Sequence, residues 1–423
     1  MFILNTSSQG TRTLKALTSP FLGFVINPKL KSLQCDNAEV KMADLSFRIS
    51  PNIILGSYTT TRLSQYVKPY GTRFLLIIDP DLKDFAVADK ISQSLSERNV
   101  EFITFDHLTD GSNTKELEQA LSLARNSHVQ GILAVGGSKA LLVSAAVSAL
   151  FNEKKDLYEY VDGLPSESEP LPMISIPTTM RAPYSFTNKI PVMDSRTRQI
   201  KLLHIQNNIC KLMIWDPNFF VTLTENQQVS MALETFCIAT EAYISQKANF
   251  FSDMFTEKAV ELMGYGLDGA KSLDISTPSE VLLAQAGCMA SLASSSSSIG
   301  VASLAALAVN ARYSISRSLV ASILFPYIIE DAGKYKCERI ERIGHLFGVV
   351  DENTHREEAV QAFAENIRQR LAKVNLPTRL KDLNITMEQL AIVAEDAGTL
   401  EPMNTLARSM TTDDFFDFLK QAY

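Results

Sequence analysis

Between residues 41 and 216 the chain alternates short apolar runs with stretches of helical periodicity. The apolar runs are bounded by Gly, Pro, Asn or Asp, as buried strands commonly are. The predicted strands are residues 74–78, 100–105, 131–135 and 173–176, and the predicted helices are residues 85–96, 115–124 and 139–150. This alternation predicts a parallel sheet with helices on both faces.

From about residue 219 onward, long helical periods dominate and strand-like alternation is absent. The predicted helices are residues 225–245, 252–267, 278–293, 299–310, 319–329, 338–347 and 356–374. The chain is therefore predicted to be α/β plus all-α, with a cleft between the two parts. We predict an amino-terminal extension at residues 1–44, an α/β dinucleotide-binding-type domain at 45–216 and an all-helical domain at 217–423.

Composition narrows the class of protein. Hydrophobic residues make up 46% of the chain, charged residues 21%, and the formal net charge is -7, as in an ordinary soluble globular protein. No basic footprint points to nucleic acid, and no apolar run reaches the roughly 18 residues needed to span a bilayer. The five cysteines are dispersed, which argues against a disulfide framework and fits a reducing compartment.

The first 35 residues contain no Asp or Glu but do contain Arg12, Lys15, Lys29 and Lys31. Such a composition is typical of an organelle transit peptide, which is one interpretation. The other is a structured extension, which we favour because Pro20 and Pro28 interrupt any long amphipathic helix. We therefore predict a cytoplasmic protein, with organelle targeting as the alternative.

Three local motifs occur in a fixed order: Ala-Val-Gly-Gly-Ser at 134–138, Pro-Thr-Thr at 177–179, and Glu-Thr-Phe-Cys-Ile-Ala-Thr-Glu-Ala-Tyr-Ile-Ser at 234–245. The carboxyl end adds Leu-Pro at 376–377 and Met-Thr-Thr-Asp-Asp at 410–414. A lone glycine turn is a weak signal, but the ordered set is strong. From about residue 45 to the end, the chain resembles the iron-containing alcohol dehydrogenase and dehydroquinate synthase superfamily.

The resemblance implies a dinucleotide cofactor, NAD or NADP, whose diphosphate lies on the glycine turn. The implied cofactor-binding residues are Asp79, Gly136, Gly137, Ser138, Thr178, Thr179 and Lys201. Backbone N–H groups and the positive end of a helix favour an anion at such a turn. The turn also departs from the family, because Val135 replaces a glycine, Leu141 an aspartate and Ser144 a lysine. The alternative is a plain strand-to-helix turn.

A second departure lies in the loop after Thr179. The family has Gly-Thr-Gly-Ser-Glu where this chain has Arg-Ala-Pro-Tyr-Ser at residues 181–185. Arg181 and Pro183 replace both glycines, which removes conformational freedom and adds bulk. Arg181 either reaches a phosphate or fills the space of the cofactor, and Tyr184 is either a proton donor or a space-filling aromatic residue.

The resemblance also implies a metal site, and here the chain differs most. Family members bind metal through an aspartate, a histidine four residues later and two histidines on later helices. The corresponding residues here are Glu234, Ile238, Ser303 and Arg317, and Leu307 replaces a further histidine. We therefore expect no metal and hypothesise an Arg317–Glu234 ion pair, since a guanidinium can meet a buried carboxylate with two hydrogen bonds. The alternative is that both are solvated helix residues.

These features predict an NAD(P)-dependent alcohol dehydrogenase or carbonyl reductase that works without metal, with Arg317 and Glu234 as catalytic residues. The alternative is an inactive member of the family that binds an anionic metabolite in the inherited cleft. A dehydroquinate synthase-like lyase is a third possibility, although its chemistry also needs metal-binding histidines. The expected partners are a small-molecule substrate or anionic metabolite and a second copy of the chain in a homodimer, with neither nucleic acid nor membrane.

Overall fold

The computed structural model describes residues 47, 49–109, 112–268, 277–351 and 353–423. The predicted amino-terminal extension, residues 1–44, lies outside the described residues. Residues 47–423 form one compact unit.

The described residues form a parallel sheet and a separate antiparallel hairpin. The strands are β1 Asn52–Leu55, β2 Arg73–Ile78, β3 Glu101–Phe105, β4 Gly131–Gly136, β5 Met173–Pro177, β6 Lys189–Asp194, β7 Gln199–His204 and β8 Cys210–Trp215. Six strands pair in the order β1-β8-β5-β4-β2-β3, all in parallel. Strands β6 and β7 form the hairpin.

The described helices follow the sequence periodicity closely. They are α1 Leu63–Val67, α2 Val87–Ser96, α3 Thr114–Asn126, α4 Ser138–Leu150, α5 Leu157–Val161, α6 Glu225–Ile244, α7 Phe250–Asp268, α8 Ser279–Ser296, α9 Val301–Tyr313, α10 Arg317–Gly333, α11 Cys337–Phe347, α12 Arg356–Lys373, α13 Met387–Gly398 and α14 Thr412–Gln421. The predicted fold class, a parallel-sheet part followed by a helical part, is confirmed.

Strand β2 is buried on both faces of the sheet. Leu75 and Ile77 pack into one apolar core, while Phe74 and Leu76 pack into the core on the opposite face. A strand buried on both faces reads as a continuous apolar run, which is typical of a parallel sheet covered by helices.

The helical part has a core of aromatic side chains. Phe236 of α6 lies 5.0 Å from Phe325, 4.5 Å from Phe347 and 5.5 Å from Phe363, measured between ring centroids. Edge-on and tilted contacts of this kind add to the free energy gained by burying the rings. They hold helices α6, α10, α11 and α12 together.

A small network of hydrogen bonds joins the β6–β7 hairpin to the helical part. Asp396 of α13 is buried and accepts hydrogen bonds from Arg312 Nε at 2.6 Å and Arg312 Nη2 at 2.9 Å. Gln199 of β7 donates to the same carboxylate at 3.1 Å, and Arg312 Nη1 donates to the carbonyl of Thr197 at 3.1 Å. The hairpin is thereby fixed against α9 and α13.

In the part of the chain that the structure describes, no single helix is both long and apolar enough to cross a bilayer. Helices α8 and α9 reach that length and hydropathy only as a pair, and they are bent by 98° relative to each other.

Candidate functional site

The predicted glycine turn lies at the carboxyl edge of the sheet. Gly136 ends β4 with a φ of +146°, and a Cβ atom there would lie 2.6 Å from the Cβ of Asp79. The carbonyl of Gly136 accepts a hydrogen bond from the N–H of Thr178 at 3.0 Å. The ends of β2, β4 and β5 therefore bring most of the predicted cofactor-binding residues together, as expected at the carboxyl ends of parallel strands.

The start of α4 carries a buried hydroxyl and a glycine with free space beside it. Ser138, the first residue of the 13-residue helix α4, is 4% exposed, and its hydroxyl has no hydrogen-bond partner among the described residues. Next to it, a Cβ on Gly137 would keep ordinary contact distances of 3.7 Å to both Asp79 Oδ2 and Thr179 Cγ2. A helix start with an unpaired buried hydroxyl is suited to an anion.

Asp79 is already engaged by a lysine that the sequence analysis did not single out. Lys139 Nζ lies 3.2 Å from Asp79 Oδ1 and 3.6 Å from Asp81 Oδ2. Asp79 also accepts a hydrogen bond from the N–H of Asp81 at 3.3 Å, as a turn residue would. The carboxylate that the resemblance assigns to an adenosine ribose is thus held by two interactions within the protein.

Lys201 lies apart from the turn, on strand β7 opposite Val192. It is partly buried, and its charge contributes to lowering the pKa of Asp194, although burial of Asp194 is the largest influence and acts in the other direction. No contact recorded for the described residues brings Lys201 to the glycine turn, so its assignment to the cofactor stays a prediction.

The loop after β5 is pinned to the helical part. A Cβ atom at Gly287 of α8 would lie 1.8 Å from the carbonyl oxygen of Met180, so only glycine permits this approach. Trp215 Nε1 donates a hydrogen bond to the carbonyl of Thr179 at 3.2 Å, and Ser294 Oγ donates to the carbonyl of Pro183 at 3.3 Å. These contacts fix the backbone on both sides of Arg181.

Arg181 forms a buried ion pair with Glu234. Its Nη1 lies 2.5 Å from Glu234 Oε2, and the two side chains are 12% and 7% exposed. Ser318 Oγ donates to the same oxygen at 2.5 Å and accepts from Arg181 Nη1 at 3.0 Å. The Arg181 guanidinium is therefore directed at Glu234, an arrangement that the sequence analysis did not predict.

The predicted Arg317–Glu234 ion pair is wrong. No carboxylate oxygen of the described residues lies within 4.0 Å of the Arg317 guanidinium, because Arg181 occupies Glu234 instead. Burial lowers the pKa of Arg317, the charge of Arg181 lowers it further, and Glu234 opposes both effects. The two residues nevertheless share one cluster.

Tyr184 belongs to the same cluster. Burial raises the pKa of its hydroxyl, and the charge of Arg317 is the largest influence acting against that rise. Its hydroxyl has no hydrogen-bond partner in the described parts of the chain. The cluster thus contains two guanidinium groups and the Glu234 carboxylate, with a phenol beside them.

A second buried carboxylate, Glu241, lies about two helical turns beyond Glu234 on α6. It accepts hydrogen bonds from the N–H groups of Gly300 at 3.0 Å and Ala302 at 2.7 Å, and from Ser303 Oγ at 2.5 Å. Burial raises its pKa, and these hydrogen bonds act against the rise. The Glu241 carboxylate is therefore fully engaged by hydrogen bonds at the start of helix α9. The partial positive charge of that helix end stabilises the carboxylate.

The residues at the family's metal-ligand positions do not fit a divalent cation. Ile238 and Leu307 are buried apolar side chains, and Ser303 is committed to Glu241. Only Glu234 is a metal-type ligand, and its Oε2 already accepts two hydrogen bonds. Among the residues that the structure describes, no group of three or more His, Cys, Asp or Glu side chains is placed to hold a metal ion. Zinc and iron sites need several such ligands.

A cavity of about 550 Å³ lies between α4 and the loops at 182–187 and 205–210. Its described lining contains no Asp, Glu, Lys or Arg side chain. Its walls are Ser50, Ser138, Leu141, Leu142, Ala145, Met173, Ser175, Ala182, Pro183, Tyr184, Ser185, Phe186, Thr187, Ile205, Gln206, Asn207, Asn208, Ile209 and Cys210. The cavity meets the glycine turn at Ser138 and the charged cluster at Tyr184.

An open parallel sheet with a glycine turn and a helix start at its carboxyl edge is the arrangement at which α/β folds commonly bind nucleotides. Comparison with sequence profiles of known families identifies the family. Residues 50–217 match the profile of iron-containing alcohol dehydrogenase, and residues 228–423 match the carboxyl-terminal profile of the Fe-containing alcohol dehydrogenase family. The chain belongs to the iron-containing alcohol dehydrogenase family.

Relatives and solved structures agree with this assignment. Alcohol dehydrogenase 4 of Saccharomyces cerevisiae is 22% identical over 383 residues, which covers 89% of this chain and 98% of that protein. A crystal structure of 1,3-propanediol oxidoreductase superposes with a TM-score of 0.82 at 19% identity, covering 89% of this chain and 99% of that one. A sulfoacetaldehyde reductase from Bifidobacterium kashiwanohense in complex with NAD+ gives a TM-score of 0.75 at 16% identity, covering 89% and 98%.

Proposed function

We propose that this chain is an NAD(P)-linked oxidoreductase that interconverts an alcohol and a carbonyl compound without a divalent metal. The observation that carries the proposal is the Arg317 guanidinium, which has no carboxylate within 4.0 Å in the described part of the chain. It stands at a position that the family uses for a metal ligand. A fixed cation there can stabilise negative charge on a substrate oxygen by electrostatics rather than by coordination.

The residues of the sheet edge would hold the dinucleotide. Gly136, Gly137 and Ser138 offer the helix start to its diphosphate, and Thr178 and Thr179 border the same edge. When bound, the dinucleotide would supply or accept the hydride. Two observations support its binding: the buried Ser138 hydroxyl has no hydrogen-bond partner among the described residues, and the sulfoacetaldehyde reductase of similar fold was solved in complex with NAD+.

Within the cluster, the residues have different tasks. Arg317 would face the substrate oxygen, where negative charge develops during hydride transfer. Glu234 and Ser318 hold Arg181 in place, and Arg181 in turn keeps Glu234 from pairing with Arg317. Glu234 is therefore a positioning residue in this proposal, whereas the sequence analysis treated it as catalytic.

The second candidate function is a non-catalytic one, in which the cleft binds an anionic metabolite. The observation that favours it is the excess of positive charge, since Arg181 pairs with Glu234 while Arg317 has no carboxylate oxygen within 4.0 Å among the described residues. The engagement of Asp79 by Lys139 also favours it, because this removes a free acceptor for a ribose. A cytoplasmic location and a homodimer remain predictions under either function.

The discriminating experiment is titration of the purified protein with NADH and NADPH, followed by nicotinamide fluorescence and thermal shift, with metal analysis of the same sample. Micromolar binding would stabilise the fold by a few kcal/mol at saturating ligand. Under the first function, dinucleotide binds, a chelator leaves aldehyde reduction unchanged, and Arg317→Met lowers kcat by about 100-fold while dinucleotide affinity stays the same.

Two results would count against the oxidoreductase. One is failure of both dinucleotides to bind, which would leave the non-catalytic function. The other is a reductase activity that a chelator abolishes and added metal restores, which would contradict metal independence. Arg98→Met is the matched control, because Arg98 is an exposed arginine whose loss changes the net charge equally.

A further inference from the structure

The cavity beside α4 extends away from the edge of the sheet that carries the glycine turn. Its lining includes Met173 and Cys210, which begin strands β5 and β8, as well as Ser138, which follows the carboxyl end of β4. Because these strands are parallel, the cavity reaches from the carboxyl edge of the sheet to its amino edge. Of the residues assigned to the dinucleotide, its described lining includes Ser138 alone. Most of the cavity is therefore separate from the proposed cofactor site.

The volume and the walls of the cavity suit an uncharged small molecule. Its volume of about 550 Å³ falls within the range of roughly 300–1,000 Å³ found for ligand pockets. Leu141, Leu142, Ile205 and Ile209 form aliphatic parts of its wall. Since no Asp, Glu, Lys or Arg belongs to its described lining, an ionised group held there would lose its hydration without gaining a counter-charge. The cavity therefore favours a ligand that has an apolar body and no charge.

Ser175 contributes a polar group to this wall. Its side chain lies on the face of the sheet that α4 covers, since its register partners Ala134 and Met213 belong to the apolar core on that face. Ser175 is 1% exposed, and its hydroxyl has no hydrogen-bond partner in the described part of the chain. A buried hydroxyl without a partner is destabilising. Because Ser175 lines the cavity, an oxygen atom of a bound molecule can supply the missing partner.

The described walls open to solvent at Asn207 and Asn208. Both residues are exposed, whereas the other described lining residues are buried or partly buried. Beside this opening, the hydroxyl of Ser50 donates a hydrogen bond to the carbonyl of Cys210 at 3.1 Å. The opening thus lies near the amino ends of β1 and β8, at the edge of the sheet opposite the glycine turn. A ligand can enter there without passing the cofactor site.

We infer that this cavity binds an uncharged amphipathic molecule, whose hydroxyl or carbonyl oxygen bonds to Ser175 and whose apolar body lies against the aliphatic wall. A serine hydroxyl both donates and accepts hydrogen bonds, so it can pair with either kind of oxygen. The inference goes beyond the proposed oxidoreductase, because it assigns a second ligand to a site that has its own opening.

The test uses three probes that share one apolar body, measured by isothermal titration calorimetry on the full chain without dinucleotide. They are 4-phenylbutan-1-ol, which has an uncharged hydroxyl, 4-phenylbutanoate, which has a charge, and butylbenzene, which has no polar group. We expect the alcohol to bind about 5-fold more tightly than butylbenzene, as one net hydrogen bond allows. It should bind about 10-fold or more tightly than the acid, which pays for desolvation of its charge.

Three results of this titration would overturn the inference. They are tighter binding of the acid than of the alcohol, equal binding of the alcohol and butylbenzene, and no binding of the alcohol. The last result would mean that the cavity holds only water.

The variant Ser175→Ala separates a role in ligand binding from a structural role. Removing an unpartnered buried hydroxyl should leave the melting temperature unchanged or raise it, yet the affinity for 4-phenylbutan-1-ol should fall to that of butylbenzene. Ser144→Ala is the matched control, because Ser144 is also buried and unpartnered but is not part of the described lining. Loss of alcohol binding in both variants, or in neither, would contradict the assignment of Ser175.

A substitution on α4 tests the apolar part of the site. Ala145→Phe places an aromatic ring in the cavity and should weaken the binding of 4-phenylbutan-1-ol and butylbenzene alike. If this variant fails to fold, Ala145→Leu adds less volume and should weaken both probes to a smaller extent. Unchanged affinity for both probes in a folded variant would show that they bind elsewhere.

The outcome is separable from that of the oxidoreductase proposal. NADH binding by a protein that does not bind the alcohol would remove this inference alone. Alcohol binding by a protein that binds neither dinucleotide would remove the oxidoreductase alone. Where both ligands bind, the alcohol should still bind in the presence of saturating NADH, and its displacement by NADH would show that it occupies the cofactor site instead.

Discussion

Arg181 and Glu234 are joined by a buried ion pair with a separation of 2.5 Å, formed between the loop after β5 and helix α6. The hydroxyl of Ser318 completes the arrangement by donating to the same carboxylate oxygen at 2.5 Å. In sequence the two charged residues are 53 positions apart. Arg181 thus takes up Glu234, and among the described residues no carboxylate oxygen lies within 4.0 Å of the Arg317 guanidinium.

The stability of this pair can be measured directly. Arg181→Leu should lower the free energy of unfolding by about 3–5 kcal/mol, because it leaves the Glu234 carboxylate buried without a counter-charge. The double variant Arg181→Leu/Glu234→Leu should recover most of that loss, since it buries no charge. Urea denaturation of both variants gives the two values, and a loss below about 1 kcal/mol for Arg181→Leu would contradict a buried pair.

The two glycines of the turn should respond differently to alanine. Gly136→Ala should destabilise the protein by about 2 kcal/mol or more, because a Cβ there would lie 2.6 Å from Asp79 Cβ at a φ of +146°. Gly137→Ala should change stability by no more than about 1 kcal/mol, since its φ is -79°. If the turn holds a diphosphate, Gly137→Ala should nevertheless weaken NADH binding, measured by fluorescence titration of the folded variant.

Lys139 should influence the choice of dinucleotide. Its ammonium group competes with ribose hydroxyls for Asp79 and would attract the 2′-phosphate of NADPH. Lys139→Met should therefore raise affinity for NADH and lower affinity for NADPH, changing their ratio by about 10-fold or more, as expected for a charged hydrogen bond. Parallel fluorescence titrations measure the ratio, and an unchanged ratio would show that Lys139 does not face the cofactor.

Asp194 should contribute to acid sensitivity. Burial acts to raise its pKa, but hydrogen bonds from the Arg196 side chain and backbone outweigh burial and hold the pKa below its usual range. A carboxylate with a lowered folded-state pKa stabilises the fold above its unfolded pKa of about 4, and that stability is lost as the pH falls further. The stability difference between the wild type and Asp194→Asn should therefore shrink between about pH 5 and pH 2 in urea titrations.

The regular elements could be predicted because burial imposes a period on the sequence. Strand β2 reads as an unbroken apolar run since both its faces are covered, and the helices of the second part carry a 3.6-residue repeat. The hairpin β6–β7 was not predicted, because Pro191 and an irregular burial pattern hide its alternation. Strands β1 and β8 were also missed, the first being only 4 residues long.

The sequence predicted where several candidate residues lie along the sheet edge, but it did not predict which charged side chains pair. The motifs placed Asp79, Gly136 and Thr178 at one sheet edge, where the structure brings them together. The partner of Glu234 could not be inferred, since two arginines were available and the choice depends on the path of the loop at Arg181. Lys139 carried a usable signal, because it directly follows Ser138 at the start of a helix beside an acidic strand end.

The glycine at position 287 has a consequence for ligand exchange. Because α8 contacts the backbone of Met180 directly, the loop that carries Arg181 and Tyr184 moves only as far as the helix moves. The loop therefore loses its conformational entropy when the protein folds. Ligand binding then carries no further entropic cost for ordering the loop. Association should accordingly proceed in a single concentration-dependent phase in stopped-flow experiments, without a slower step for loop closure.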